Sequence, residues 1–135
     1  KGTAVYQVDP GVFKELGDTE SPQGIAAVVR FSKWADFKVS NDSIFIICDG
    51  IQDPGNLGTI IRSADAVKAT AVILTKGTVD PFNPKVVRAS MGSLFHVPVI
   101  EAGDREGLVK KLKRENVKII VVNTPTHNKI YFRLI

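Results

Sequence analysis

The chain has 135 residues, 44% of them hydrophobic, with a single cysteine and a formal net charge of +4. Such a composition suits one soluble globular domain with a real core and excludes the disordered and fibrous classes. No apolar run approaches the roughly 18 to 20 residues of a bilayer span, the first ten residues lack the order of a signal peptide, and one cysteine cannot form an intrachain disulfide, so a cytoplasmic address is the default expectation.

Thr3 to Val8 alternates enough for a short strand, and "DPGVFKEL" follows with Asp9 as helix N-cap and Pro10 at the first helical position. A turn over "DTESPQG" leads into "IAAVVRF", which reads as a strand, and the polar "SKWADFKVSND" is the expected linker. From Ser43 a regular alternation sets in: "SIFIICD" strand, Asn56 to Val67 helix, "TAVILT" strand, a helix near Asn83 to Met91, "HVPVI" strand, "DREGLVKKLKREN" helix, "VKIIVV" strand. Four continuous apolar strands alternating with helices predict an α/β fold, an open parallel sheet with helices on both faces. Ligands in such sheets bind where loops leave the carboxyl ends of the strands, which singles out residues 50–55, 76–82, 101–103 and 123–129. The chain does not begin with methionine and closes on the uncapped apolar run "KIYFRLI", so both ends are expected to be cut from something longer.

The most informative stretch is "DGIQDPGNLGTIIRSADA", Asp49 to Ala66. Pro54-Gly55 suits a type II turn, and Asn56 then falls at the expected N-cap, a purely structural role. A helical wheel puts Leu57, Ile60, Ile61, Ala64 and Val67 toward the sheet and Gly58, Arg62 and Asp65 on the other side. Gly58 lies one turn below Arg62, and a helix-interior glycine costs about 1 kcal/mol relative to alanine, so something is expected to approach the backbone there. The residues alone leave two readings open for Arg62: a ligand-facing site, or an Arg62–Asp65 ion pair on a wet surface.

Other chemistries lack their signatures. There is no G-x-x-x-x-G-K-[ST] phosphate loop, and the glycines at 50, 55 and 58 do not form G-x-G-x-x-G. His96 and His127 have no partner at metal-ligand spacing, no serine sits in G-x-S-x-G, and Cys48, inside "IFIICD", reads as a small buried side chain. No metal site is expected. "KKLKREN" with Lys118 beyond it is the densest basic cluster, but Leu108, Val109 and Leu112 mark a buried stripe, so a solvated helix face is favoured over a dedicated RNA-binding patch.

The Asp49 to Ala66 stretch resembles the first signature motif of the SpoU, or TrmH-like, RNA ribose 2′-O-methyltransferases of the SPOUT superfamily, whose catalytic domain carries a C-terminal trefoil knot. "FKELGDTESPQGIAAVV", "NPKVVRASMGSLFHVPV" and "VVNTPTHNKIYF" resemble further segments of that family, so the likeness covers nearly the whole chain. It implies that residues 1–35 are the end of an N-terminal RNA-recognition domain with its linker, and 36–135 the N-terminal portion of the methyltransferase domain. It also implies methyl transfer from S-adenosylmethionine to a ribose hydroxyl of RNA, with ribosomal RNA favoured and transfer RNA left open, by a protein that is a homodimer when full length. Asn56 and Arg62 match the motif's catalytic pair, Thr124 the edge of the methyl-donor pocket, and Arg88, Ser90 and Gly92 the RNA side of the site. The likeness leaves two differences. Lys68 stands where the family usually has glycine, suggesting a different helix ending. The family's later motifs, a G-x-E-x-x-G loop and an I-P-M…S-L-N segment, do not occur before Ile135, so the methyl-donor pocket and the knot are expected to be incomplete and this piece inactive alone. A rival reading keeps the scaffold as a non-catalytic RNA-binding or ribosome-assembly protein.

Overall fold

The computed structural model describes residues 2–16, 21–30, 36–123 and 129–132, with side chains apart from 122, 123 and 129–132. The chain divides into two compact units, residues 1–32 and 33–135. The first contains α1 (Pro10–Glu15), capped by Asp9, whose carboxylate accepts from the Gly11 N–H at 2.8 Å. The two strands expected around it do not form. Thr3 to Val8 and Ile25 to Arg30 have no strand partner among the described residues, and Val5, Tyr6, Ile25 and Val28 lie exposed. Apolar alternation cannot make a strand where no neighbour satisfies its backbone.

The second unit is built on a five-stranded sheet: β1 (Phe45–Asp49), β2 (Ala71–Thr75), β3 (Val99–Gly103), β4 (Ile120–Asn123) and β5 (Lys129–Phe132), in the order β3-β2-β1-β5-β4. β1, β2 and β3 are parallel, joined through α2 (Pro54–Ala66) and α3 (Pro84–Ala89). The sheet is not parallel throughout, as the alternation had suggested. "VKIIVV" does not lie beside β1; β5 intervenes, antiparallel to both β1 and β4. Five residues separate β4 from β5, enough for a hairpin and too few for the crossover a parallel neighbour needs.

Strand alternation divides the core between the two faces. Ile46, Cys48, Val72 and Leu74 meet Leu57, Ile61 and Ala64 of α2, Val86 of α3 and Leu94 of the 3₁₀ turn Ser93–Phe95. Phe45, Ile47, Ala71 and Ile73 face the other way, onto Leu108 and Leu112 of α4 (Arg105–Arg114). Fully burying each large aliphatic side chain contributes about 1.5 to 3 kcal/mol, so both helical layers are held firmly. Part of the expected linker belongs to this core: Phe37 and Val39 pack on the α4 side, and the Phe37 and Phe45 ring centroids lie 4.9 Å apart.

The two longer helices end alike. Lys68 and Asn116 adopt φ of 54°, and the N–H groups of Ala69 and Val117 reach back to the carbonyls of Ala64 and Leu112, both at 2.9 Å. Lys68 thus supplies the left-handed geometry that its lack of glycine seemed to rule out, at a cost of about 1 kcal/mol. The helix therefore ends in the left-handed cap that a glycine would ordinarily supply.

Cys48 is fully buried, and burial pushes its thiol up to about 12. The nucleophilic thiolate is therefore absent at neutral pH. Iodoacetamide at pH 8 is expected to leave the native protein unlabelled and to modify this cysteine only in denaturant; rapid labelling of the native state would contradict the packing.

Candidate active site

The loops that leave β1, β2 and β3 meet at one rim and fasten one another. Thr78 donates through its hydroxyl to the Cys48 carbonyl at 3.1 Å and accepts from the Gly50 N–H at 3.2 Å, and the Val79 N–H donates to the Ile51 carbonyl at 2.8 Å. Gly50 and Gly77 sit opposite each other in the left-handed region, at φ of 69° and 90°, where a side chain would be strained. The segment leading into α2 is thus held by the β2–α3 loop instead of hanging free. Beneath it, Asp49 accepts from the buried Thr75 hydroxyl at 2.7 Å and from the Arg105 guanidinium at 3.1 Å, which ties the start of α4 to the same rim. Sequence reasoning passed over Asp49, Thr75 and Arg105, because they come from three distant segments and no local spacing unites them.

The start of α2 differs from expectation. Asp53, not Asn56, is the N-cap: its carboxylate accepts from the Asn56 N–H at 2.7 Å, and Pro54 and Gly55 are already helical. There is no type II turn, since the Asp-Pro pair starts the helix one residue after the cap. Asn56 is thereby relieved of the capping role, and its exposed side chain projects from the first helical turn.

Gly58 does meet a close approach, but the neighbour is protein. A Cβ placed there would lie 2.4 Å from the Ala89 Cβ and 2.9 Å from the Val86 carbonyl oxygen. Gly58 is buried at the α2–α3 contact and does not clear room for a ligand. Arg62, one turn further along α2, is exposed. The ion pair that would explain it on a wet surface does not form, because Asp65 faces His96 Nδ1 at 3.3 Å.

Of the other expected site residues, Arg88 is exposed on α3 beside Ala89, so it borders the same helix pair as Arg62. Ser90 is buried and its hydroxyl donates to the Val87 carbonyl at 2.8 Å, a helix-ending contact. Gly92 follows at φ of 92° and starts the 3₁₀ turn. Thr124 lies outside the described residues.

At the strand-end rim is a cleft of about 660 Å³ between the β2–α3 loop and the end of β3. Leu74, Val79, Pro81 and Phe82 make its apolar wall and Lys76, Asp80 and Glu101 its charged edge. It is open to solvent on one side, so the described residues do not close a pocket round a sulfonium nucleoside. Among them, no group of three or more His, Cys, Asp or Glu is arranged to hold a metal, and no helix is long and apolar enough to cross a membrane.

A three-stranded parallel core flanked by helices, with an Asp-Pro helix start at the strand-end rim that exposes Asn56 in its first turn and Arg62 further along α2, is the framework of a SpoU-type methyltransferase domain. The chain belongs to the SpoU rRNA Methylase family, whose model matches residues 43–134. It is 41% identical over 118 residues to the 23S rRNA (guanosine(2553)-2′-O)-methyltransferase RlmP of Bacillus subtilis, covering 87% of this chain and 46% of that protein. The chain therefore spans about half the length of that relative. Among solved structures, the AdoMet-bound rRNA methyltransferase from Sinorhizobium meliloti superimposes with a TM-score of 0.56 at 39% identity, over 62% of this chain and 32% of that one. The SpoU methyltransferase AviRb from Streptomyces viridochromogenes, in complex with AdoMet, gives 0.55 at 34% identity, over 59% and 32%.

Proposed function

We propose that the whole protein transfers a methyl group from S-adenosylmethionine to a ribose 2′-hydroxyl of ribosomal RNA, as a cytoplasmic homodimer. In this reading residues 1–35 end an RNA-recognition domain, and 36–135 form the first part of the catalytic domain. The observation that carries it is Arg62: exposed, without an ion pair among the described residues, and carried on a helix whose entry segment is fixed by hydrogen bonds. The names of the relatives support RNA as the substrate and AdoMet as the donor.

The reaction is an in-line displacement in which the ribose oxygen forms a bond to the methyl carbon, the carbon–sulfur bond breaks, and the hydroxyl proton leaves to solvent or another base. Bound S-adenosylmethionine supplies the electrophilic methyl; Asn56, Arg62 and Arg88 act on the RNA. A guanidinium holds its proton far above neutral pH, so an arginine is a poor proton acceptor. Arg62 is therefore assigned to charge stabilisation and phosphate positioning, which its bidentate geometry suits, not to proton abstraction. Asn56, free of the cap, orients the ribose or the arginine. Arg88 and the backbone at Gly92 extend the RNA-facing surface, with buried Ser90 supporting the turn between them. Thr124 is assigned to the edge of the donor pocket.

Incubating the full-length protein with unmodified large-subunit rRNA and tritiated S-adenosylmethionine tests this reading. The expected result is one ribose methylation, mapped as a reverse-transcription stop, whereas RNA binding without methyl transfer would favour the ribosome-assembly alternative. The isolated 135-residue piece should transfer no methyl.

A further inference from the structure

Segment 105–118 contains six basic and two acidic residues, a surplus equal to the formal net charge of +4 of the entire chain. The other 121 residues are balanced, so the protein's positive charge is essentially one local feature. A basic helix C-terminus has an ordinary explanation in the helix macrodipole, but that effect fades within the last turn. It does not account for Lys118, beyond the helix, or for exposed Lys38, on a different segment that packs against the same side of the sheet through Phe37 and Val39.

The structure also sorts these cations by what they already hold. Lys111 is engaged: its ammonium donates to Asp36 at 2.7 Å and lies 4.2 Å from the centre of the Phe37 ring. Hydrogen bonds from Lys111 and from the Phe37 N–H hold the Asp36 carboxyl below its usual range, so that pair stays ionised at neutral pH. Lys110 adds only a minor attraction to the Asp104 carboxylate, which the Gly107 and Glu106 N–H groups chiefly hold below its usual range. Lys113, Arg114 and Lys118 are exposed and enter no ion pair among the described residues. These three charges sit at the far end of α4, roughly 15 Å along the helix from Arg105 at the rim. They lie on the sheet face opposite α2 and Arg62.

We infer that this end of α4, with Lys113, Arg114 and Lys118 at its centre, is a second RNA-contacting surface that grips the phosphodiester backbone of a segment remote from the methylated nucleotide. It rests on the reading of the whole protein as an rRNA methyltransferase and adds where that RNA is held. Exposed cations that enter no ion pair among the described residues, distant from the rim and interrupted only by Glu115, suit phosphate contact that supplies affinity without sequence choice.

The test uses the full-length protein carrying Lys113→Gln, Arg114→Gln and Lys118→Gln together, with an unmodified large-subunit rRNA transcript as probe. RNA affinity measured from 50 to 300 mM salt without S-adenosylmethionine is expected to show a log–log slope shallower by about 2. At physiological salt the affinity should fall about tenfold or more, with KM for RNA raised and kcat unchanged. Lys113→Arg with Lys118→Arg keeps the charge and should retain wild-type binding. An unchanged slope and KM in the triple variant overturns the inference, as does a loss confined to anionic phosphatidylglycerol vesicles with RNA binding intact. If the wild type shows the α4-dependent slope yet transfers no methyl, the methyltransferase reading fails and the RNA surface stands.

Discussion

Replacing Arg62 with alanine in the full-length protein is expected to lower the rate of 2′-O-methylation by about 10²- to 10³-fold, the scale seen when one charge-stabilising donor is removed from a transition state. Folding should be almost untouched. Arg62 is exposed and makes no ion pair among the described residues, and surface substitutions of this kind stay within about 0.5 kcal/mol. A residue that served only the fold would lose activity in proportion to the unfolded fraction, so parallel losses in rate and in melting temperature would remove Arg62 from the chemistry. Arg62→Lys sharpens the assignment, because an ammonium keeps the charge but not the planar two-pronged donor. About a tenfold loss is expected; recovery of the full rate would mean that point charge suffices and phosphate geometry is irrelevant.

How far the sequence was legible depended on whether a signal was local. Asp9-Pro10 was readable as cap and first helical residue, and the structure agrees. The same pair recurs at Asp53-Pro54, where the glycine after proline drew the reading toward a turn and pushed the cap three residues too far. Pro at the first helical position should have outweighed it, since Pro-Gly is equally compatible with a helix start when an aspartate precedes. The parallel core followed from its continuous apolar strands. The β4–β5 hairpin did not, because "KIYF" carries no mark of direction and strand order is decided by pairing between distant segments. The Asp49–Thr75–Arg105 cluster is of the same kind: its members come together only once β1, β2 and α4 are placed.

Gly58 shows both the reach of sequence reasoning and its limit, and leads to the second large effect. A glycine inside a helix costs about 1 kcal/mol against alanine, so its presence pointed correctly to something near the backbone. The wheel then misassigned the neighbour by allowing for one buried face, toward the sheet. A helix in a layered α/β fold also touches the helix beside it, and on α2 that second contact falls on Gly58, with Ala89 and Val86 of α3 against it. Gly58→Ala is therefore expected to destabilise the protein by about 1 to 3 kcal/mol despite the better helix former, because overpacking outweighs propensity. Its added methyl meets the Ala89 Cβ at 2.4 Å and backbone atoms of Ala89 and Val86 at 2.9 Å. The first neighbour can be removed and the others cannot. Combining it with Ala89→Gly should thus recover only part of the loss in chemical denaturation. Forcing α3 away from α2 would also shift Arg88 relative to Arg62, so Gly58→Ala should lower methylation beyond what the unfolded fraction explains. If Gly58→Ala instead raises stability by the roughly 1 kcal/mol that helix propensity alone supplies, the close α2–α3 contact is not what requires glycine there.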